Sequence, residues 1–396
     1  MGSSWSSTET EVPPPMASQR SSSTIQPNKL RNPGVTILKE ILRTIKLDEN
    51  LIAINNEILL RFLSSFIEEM KKHDELFGKL YQKNVYTGSF YSDLRISEPD
   101  EFDINLVLKM PFKPGDIEIN YHPQVPSYAK FHLKNEAAMT VTHPTLVRKL
   151  FKDGYLMPEA VRKWIQSVVD KALQTYKLPH GITRIIPSSS GPARTIQLVK
   201  PRGIIDIDLV PVISCVMGTK QPGIDGRVNA KFQPILETFL VPKPYSPSGQ
   251  APVNRNEIPR LWRTHFPDAE NKLIHDVGCV KPVIKLLKLL RDKENWKILA
   301  SYYLKTVVMW MILENNDKTY WKEDKLDLRF IEALKRLAAF VKDRKIPYFF
   351  SKKYNLIEKM NENQAFNLYN RITALINYVE KDRTKLWDMF HVHPTF

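Results

Sequence analysis

Residues 85–110 read VYTGSFYSDLRISEPDEFDINLVLKM. From Glu101 onward the stretch alternates with a period of two, which predicts a half-buried β-strand. The apolar side of this strand carries Phe102, Ile104, Leu106, Leu108 and Met110. Glu101 and Asp103 face the other way, two residues apart and close to the start of the strand. Such a pair of carboxylates on one strand face is the feature on which the rest of the interpretation depends.

Carboxylate pairs of this kind suit a two-metal site, because divalent ions about 3.5–4 Å apart need oxygen ligands from neighbouring positions. Gly88-Ser89, just upstream, offers backbone N–H groups and a hydroxyl to a triphosphate. This combination is typical of a nucleotidyltransferase site. Acid-x-acid pairs are common, however, and Asp116/Glu118 is another in this chain. Taken alone, the pair at 101 and 103 also suits a solvated strand face.

A third carboxylate is expected from a second strand, Ile204–Pro211, which follows a hairpin turn at residues 200–203. Asp206 and Asp208 lie on the same face of this strand, so the alternation does not choose between them. Strands and helices mix along the first half of the chain, which favours an α+β fold with a mixed sheet and flanking helices.

The composition bounds the class of protein. A chain of 396 residues suits two lobes that share an interface. The net charge of +15 indicates a polyanionic partner, with nucleic acid favoured. Two cysteines argue against a disulfide scaffold and a thiolate-rich zinc site. Residues 1–28 have no apolar core of a signal peptide and no apolar run is long enough to span a bilayer, so we expect a cytoplasmic protein without membrane contact.

Three regions are predicted along the chain. Residues 1–33 are rich in Ser, Thr and Pro and form a disordered tail. Residues 34–215 form a nucleotidyltransferase core with a long N-terminal spine helix, which Asp48 caps and which joins the two lobes. Residues 216–396 form a helical lobe that completes the nucleotide site. Helices are predicted at about 158–177, 234–240, 269–277, 281–290, 296–313, 326–341 and 364–378.

Several segments together resemble cyclic GMP-AMP synthase and the cGAS-like receptors of animals. The stretch TGSFYSDLRISEPDEFDINLVLKM carries the resemblance first, and it continues in order through GPARTIQL, DIDLVPVI, LWRTHFPDAENKL, KLLKLL and ASYYLKTVVMWMI. It covers nearly the whole chain beyond the tail. The family implies a bilobed nucleotidyltransferase, switched on by double-stranded nucleic acid, that joins ATP and GTP into a cyclic dinucleotide second messenger in innate antiviral signalling.

The resemblance also implies roles for single residues. Glu101, Asp103 and Asp208 would hold two Mg²⁺ or Mn²⁺ ions, with Asp208 preferred to Asp206 because a short apolar run follows it. Gly88 and Ser89 would hold the donor triphosphate, and Arg263 would read guanine through its guanidinium fork. The remaining nucleotide-binding positions implied by the family are Glu270, Lys288, Ser301, Tyr302 and Lys305.

One departure from the vertebrate synthase concerns its zinc-binding insertion of one His and three Cys. The corresponding region holds only His265, His275 and Cys279, so no zinc site is expected. In the vertebrate enzyme that insertion grips duplex DNA, whereas the zinc-free receptors of the family tend to recognise double-stranded RNA. The resemblance therefore implies double-stranded RNA as the activator, with double-stranded DNA as the alternative. RNA would be recognised through its shape, phosphates and 2′-hydroxyls.

The nucleic-acid surface is expected along the spine helix, at Lys39, Arg43, Lys46, Lys71 and Lys72. Dimer formation on the nucleic acid is left open. Two other functions compete with the synthase. One is a catalytically inactive nucleic-acid-binding member of the same fold, and the other is a nucleotidyltransferase that makes linear oligonucleotides.

Overall fold

A computed structural model describes residues 32–218, 224–232, 235–245, 253–315, 317 and 319–392. The predicted tail therefore lies almost entirely outside the described residues. The helices are α1 Pro33–Thr44, α2 Glu49–His73, α3 Glu75–Leu80, α4 Gly88–Tyr91, α5 Glu136–Thr142, α6 Pro144–Leu150, α7 Pro158–Thr175, α8 Gly226–Lys231, α9 Pro267–Ile274, α10 Val280–Lys293, α11 Ser301–Glu314, α12 Leu326–Lys342, α13 Glu362–Lys381 and α14 Leu386–Met389.

The strands of the main sheet are β1 Tyr81–Thr87, β2 Glu101–Leu108, β3 Ile117–Tyr121, β4 Tyr128–Leu133, β5 Phe151–Lys152, β6 Tyr155–Leu156, β7 Arg184–Ser190, β8 Ala193–Val199, β9 Ile204–Gly218, β10 Ile235–Val241 and β11 Trp262–His265. Their path runs β1-β2-β9-β10-β11-β4-β6-β5, and β8 joins β7 to β9 at one end of β9. The strands β12 Pro347–Tyr348 and β13 Ser351–Asn355 form a separate pair. Strands β2 and β9 are parallel while the other pairs described are antiparallel, so the α+β fold with a mixed sheet is confirmed.

Two hydrophobic cores hold the molecule together. One lies between the sheet and helices α2 and α7, with Phe62, Phe66 and Trp164 at its centre. The other lies within the helices from α9 onward and also receives α1, through Ile37 and Leu38. Since α1 packs in the second core and α2 in the first, the N-terminal helices connect the two bodies of the fold.

Helix α2 begins where the sequence places it, because the Asp48 side chain accepts hydrogen bonds from the backbone N–H groups of Asn50 and Leu51. Its 25 residues give it a length of about 37 Å. Buried side chains recur at every third or fourth position along α2, and the face that they form packs against the sheet.

The helix predicted at about 234–240 is wrong, because this segment forms strand β10. The chain there pairs with β9 on one side and β11 on the other. Thr238, Phe239, Leu240 and Val241 are all buried, so the period-two signal of a half-exposed strand is missing. The sheet therefore continues into the region that the sequence analysis gives to the helical lobe.

Smaller differences concern element ends. The sequence SSSGP at residues 188–192 predicts a turn. Strand β7 instead continues through Ser190 and pairs with β8 along its whole length. Helix α11 begins at Ser301 rather than at Trp296, so Ser301 occupies its first turn. Strand β2 alternates only at its start, because Asn105 and Val107 are buried on the opposite side.

Candidate nucleotidyltransferase site

The acidic residues of the sequence motif meet on two neighbouring strands. The parallel register of β2 and β9 places Glu101 opposite Asp206 and Asp103 opposite Asp208. Adjacent strands lie about 4.8 Å apart, so four carboxylates share one patch of the sheet. The structure thus brings together both candidates for the third acid, and the register gives each a partner on β2.

Two of these carboxylates are poorly compensated. Burial raises the pKa of Asp103 to about 6, and the nearby charges of Glu101 and Asp208 act in the same direction, while Arg95 opposes them. Burial also raises the pKa of Asp208, helped by the charges of Glu101 and Asp206, although a hydrogen bond from Thr195 acts against it. Crowded, partly buried carboxylates of this kind are stabilised by a bound cation.

The acidic side chains nevertheless have protein partners in this structure. The Arg95 guanidinium hydrogen-bonds Glu101, and its other nitrogen donates to Asp100 at 3.0 Å. The Thr195 hydroxyl donates to Asp208, and Gln197 donates to Asp206 at 2.8 Å. Within the described residues no group of three or more His, Cys, Asp or Glu side chains is arranged to enclose a metal ion. The donor set thus has the chemistry of a divalent-metal site, but it is not gathered around one point.

Gly88 lies directly against this acidic patch. It connects β1 to the short helix α4 with φ at +79°, a conformation that favours glycine. A Cβ atom at this position would come within 1.8 Å of the Asp103 carboxylate. The backbone at Gly88 therefore lies so close to the Asp103 carboxylate that no side chain fits between them.

The loop after α4 is docked on the basic face of α10. Asp93 accepts from the Lys285 ammonium at 2.7 Å, and Lys288 donates to the Leu94 carbonyl oxygen at 2.5 Å. Burial lowers the pKa of Lys288 to about 8. Ser92 extends the contact by donating to Asn271 of α9 at 3.2 Å. Lys288, a predicted phosphate ligand, thus holds the loop that follows the Gly-Ser turn.

A second cluster of predicted residues surrounds the Glu270 carboxylate. Tyr302 donates to it at 2.9 Å, and Lys305 donates to its other oxygen at 2.7 Å. Burial alone raises the pKa of Glu270, but the charges of Lys305 and His265 outweigh it, so the pKa is lowered. Glu270 is only 3% exposed. This arrangement is a compact, charge-balanced cluster.

Arg263 lies among three tyrosine rings. The distances from its guanidinium carbon to the ring centroids are 4.8 Å for Tyr348, 5.1 Å for Tyr354 and 5.4 Å for Tyr128. Cation–π contacts of this kind hold a guanidinium in a fixed plane. Strand β11 places Arg263 there, because its neighbours Trp262 and Thr264 are buried in the sheet.

The remaining predicted residues lie farther out. Ser301 accepts a hydrogen bond from Arg291 at 2.6 Å. The predicted RNA-binding cations of α1, of α2 and of the link between them are largely paired with acids: Lys39 with Glu323, Lys46 with Glu49, Lys71 with Glu68 and Lys72 with Glu69. Arg43 is exposed to solvent. These residues follow one another along the two helices rather than meeting at the acidic patch.

Sequence reasoning misses several residues of the site. The sequence does allow Thr195 and Gln197 to be found, because counting outward from the predicted hairpin turn pairs them with Asp208 and Asp206. The sequence pattern assigns no role to Arg95, although this residue lies between acidic residues in the motif itself. Tyr348 and Tyr354 come from the small second sheet, and no local pattern marks them.

No helix within the described part of the chain is long and apolar enough to cross a membrane.

Residues 90–276 match the family profile described as Mab-21 protein nucleotidyltransferase domain, and residues 279–374 match the Mab-21 protein HhH/H2TH-like domain. A cyclic GMP-AMP synthase-like receptor of Tribolium castaneum is 31% identical, over 86% of this chain and 87% of its own. One from Microplitis demolitor is 29% identical over 92% and 69%.

A third relative, cyclic GMP-AMP synthase-like receptor 1 of Drosophila melanogaster, is 24% identical over 82% of this chain and 87% of its own. The matches extend across both family domains, and they agree with the mixed sheet followed by a helical body. The chain therefore belongs to the family of cyclic GMP-AMP synthase-like receptors, which carry a Mab-21 nucleotidyltransferase domain.

Proposed function

We propose that this nucleotidyltransferase is activated by double-stranded RNA and joins ATP and GTP into a cyclic GMP-AMP-type dinucleotide for antiviral signalling in the cytoplasm. The observation that carries the proposal is the register of β2 and β9, which sets Glu101 opposite Asp206 and Asp103 opposite Asp208. Carboxylates from two strands beside a Gly-Ser turn are what a phosphoryl-transfer site requires.

Glu101, Asp103 and Asp208 are the proposed metal ligands, and Asp206 lies beside them through its pairing with Glu101. Two Mg²⁺ or Mn²⁺ ions bound there would supply positive charge to the reacting phosphates. No zinc is part of the proposal. Arg95 engages one oxygen of the Glu101 carboxylate and would compete there with a bound ion.

The donor triphosphate is assigned to the Gly88-Ser89 turn, because its backbone passes next to Asp103. Lys288 donates one of its three N–H groups to the Leu94 carbonyl, so a phosphate bound to the same ammonium would be linked to the position of the loop. Ser301 and Lys305 complete the proposed phosphate contacts at the start of α11.

The nucleobases are assigned to Arg263 and the tyrosine rings around it. Arg263 presents its N–H groups to an acceptor edge of guanine while the rings of Tyr348 and Tyr354 hold its plane. Tyr302 offers a ring for stacking, and Glu270 fixes its hydroxyl. The guanine preference thus rests on a guanidinium whose orientation is already set.

The test is the Asp103→Asn variant, incubated with duplex RNA, ATP, GTP and Mg²⁺ or Mn²⁺, with products identified by mass spectrometry. We expect at least a hundredfold loss of cyclic product, because the variant loses an anionic ligand at the centre of the patch. The control is Glu118→Gln, which removes an exposed acid of another acid-x-acid pair on β3.

Undiminished cyclic product from Asp103→Asn would overturn the proposal. Duplex DNA in place of RNA is the second arm of the same experiment and identifies the activator. Linear oligonucleotides would indicate a non-cyclising enzyme, and no product with intact RNA binding would indicate an inactive receptor. Light scattering of the RNA complex reports whether the active unit is a dimer.

A further inference from the structure

Asn55 is a polar side chain on the apolar face of helix α2. It lies one turn before Leu59 on the stripe that packs against the sheet, and it is only 1% exposed. Burying an amide without hydrogen-bond partners is destabilising, so a hydrophobic residue is the simpler choice at such a position. Asn55 instead has both of its polar atoms satisfied.

Its two partners come from the two chain segments that lead into the acidic strands. The amide nitrogen donates to the Pro99 carbonyl oxygen at 2.7 Å, two residues before Glu101. The amide oxygen accepts from the Lys200 ammonium at 2.6 Å, at the hairpin between β8 and β9. Only one orientation of the amide satisfies both contacts, since a carbonyl accepts and an ammonium donates.

The same two segments are also bonded directly to each other. The backbone N–H of Asp206 donates to the Asp100 carbonyl oxygen at 2.7 Å, next to the Pro99 carbonyl that Asn55 holds. Lys200 follows β8, the strand whose Thr195 and Gln197 hold Asp208 and Asp206. Asn55, the approach to β2 and the β8–β9 hairpin therefore form a closed ring of contacts around the start of the acidic patch.

We propose that Asn55 is a positioning residue that couples helix α2 to the metal-binding carboxylates, by fixing the β2 approach relative to the β8–β9 hairpin. This inference rests on the proposed function and names the route by which that function is regulated. A displacement of α2 on binding duplex RNA is passed through Asn55 to both strands at once. The position of α2 then determines the spacing between the acids of β2, Glu101 and Asp103, and those of β9, Asp206 and Asp208. The affinity for divalent ions depends on that spacing.

The test compares Asn55→Leu and Lys200→Met with the unaltered protein, using Mn²⁺ binding followed by electron paramagnetic resonance, with and without duplex RNA and without nucleotides. We expect Mn²⁺ affinity to fall about tenfold in each variant, as is usual when residues supporting metal ligands are removed. Because both variants open the same ring, the double variant is expected to lose little more than either single one. RNA affinity is expected to stay within twofold, while the effect of RNA on Mn²⁺ affinity disappears.

Ile67→Val is the control, because it loosens the packing of the same helix face without touching the ring. If Asn55→Leu does not fold, Lys200→Met alone carries the test, since it breaks the ring from a partly exposed residue. Unchanged Mn²⁺ affinity in the folded variants overturns the role of Asn55. Asp103→Asn, measured in parallel, separates the two proposals: if it too binds Mn²⁺ normally, the acidic patch itself is not the metal site.

Discussion

Gly88 has two independent physical reasons to be glycine. Its φ of +79° is costly for any residue with a Cβ, by about 1 kcal/mol. Its missing side chain also leaves the room that the Asp103 carboxylate fills, since a Cβ would lie 1.8 Å from that oxygen. Conformation and close approach thus coincide at the residue that joins β1 to the loop over the site.

Gly88→Ala is therefore expected to displace the Asp103 carboxylate and to lower product formation about a hundredfold, as misplacement by about 1 Å does in other active sites. The matched control is Gly181→Ala, because Gly181 has a similar φ of +82° but a Cβ added there would meet nothing within 4 Å. Gly88→Ala is also expected to melt at a lower temperature in circular dichroism, because only its Cβ meets Asp103, so activities are compared well below both melting temperatures. Equal loss of activity in the two would show that the close approach to Asp103 does not matter.

At the scale of secondary-structure elements, local patterns predict most of the sheet but not its middle. Strands β2 and β9 begin where the sequence predicts them, at Glu101 and Ile204, and helix α7 begins at Pro158, at the start of its predicted range. Strand β10 lies between β9 and β11 and is buried on both faces, so its sequence carries no period of two. Tertiary pairing decides it, and a single sequence does not contain that information.

The same limit applies to the site. The acids, the Gly-Ser turn and Arg263 lie in local motifs and are found from the sequence. Arg95 lies in the motif, but the motif does not show that it engages Glu101. Asn55 engages Pro99 and Lys200 across distances that no local motif spans. Contacts between elements distant in sequence arise only when the fold is assembled, so the motif predicts which groups are present but not how they are restrained.

The docking of the 92–94 loop on α10 leads to a prediction at this scale. Asp93→Asn weakens the pairs with Lys285 and Lys281 and keeps a residue that tolerates the φ of 53°. Asp93 is 67% exposed on its side chain, so the loss in unfolding free energy is expected to stay below about 1 kcal/mol. Backbone amides of residues 88–95 are expected to exchange hydrogen several-fold faster, as measured by mass spectrometry. Unchanged exchange, as expected for the control Asp116→Asn, would mean that Lys288 and Ser92 hold the loop alone.

At the scale of the whole molecule, the basic residues of the proposed RNA-binding surface are divided between α1, the link from α1 to α2, and the end of α2. Lys39 and Arg43 lie on the helix that packs in the helical core, while Lys71 and Lys72 end the helix that packs on the sheet. Most of these cations are already paired with carboxylates, so a phosphate backbone has to displace those partners. The proposed duplex, if bound at these residues, would span both helices, α1 of the helical core and α2 of the sheet core.

Replacing Lys39, Arg43, Lys46, Lys71 and Lys72 with Gln is expected to abolish RNA activation at moderate salt while leaving RNA-independent turnover unchanged. RNA affinity is measured at several salt concentrations by fluorescence anisotropy of labelled duplex RNA. If all five side chains contact phosphates, the slope of log binding constant against log salt concentration is expected to be less negative by about four in the variant. The control variant carries five Gln substitutions at exposed lysines elsewhere, namely Lys163, Lys171, Lys342, Lys352 and Lys381. Each variant lowers the net charge by five, from +15 to +10, so only the position of the charge differs. Equal losses in the two would assign RNA binding to the overall charge, and would remove α1 and α2 from the sensing surface.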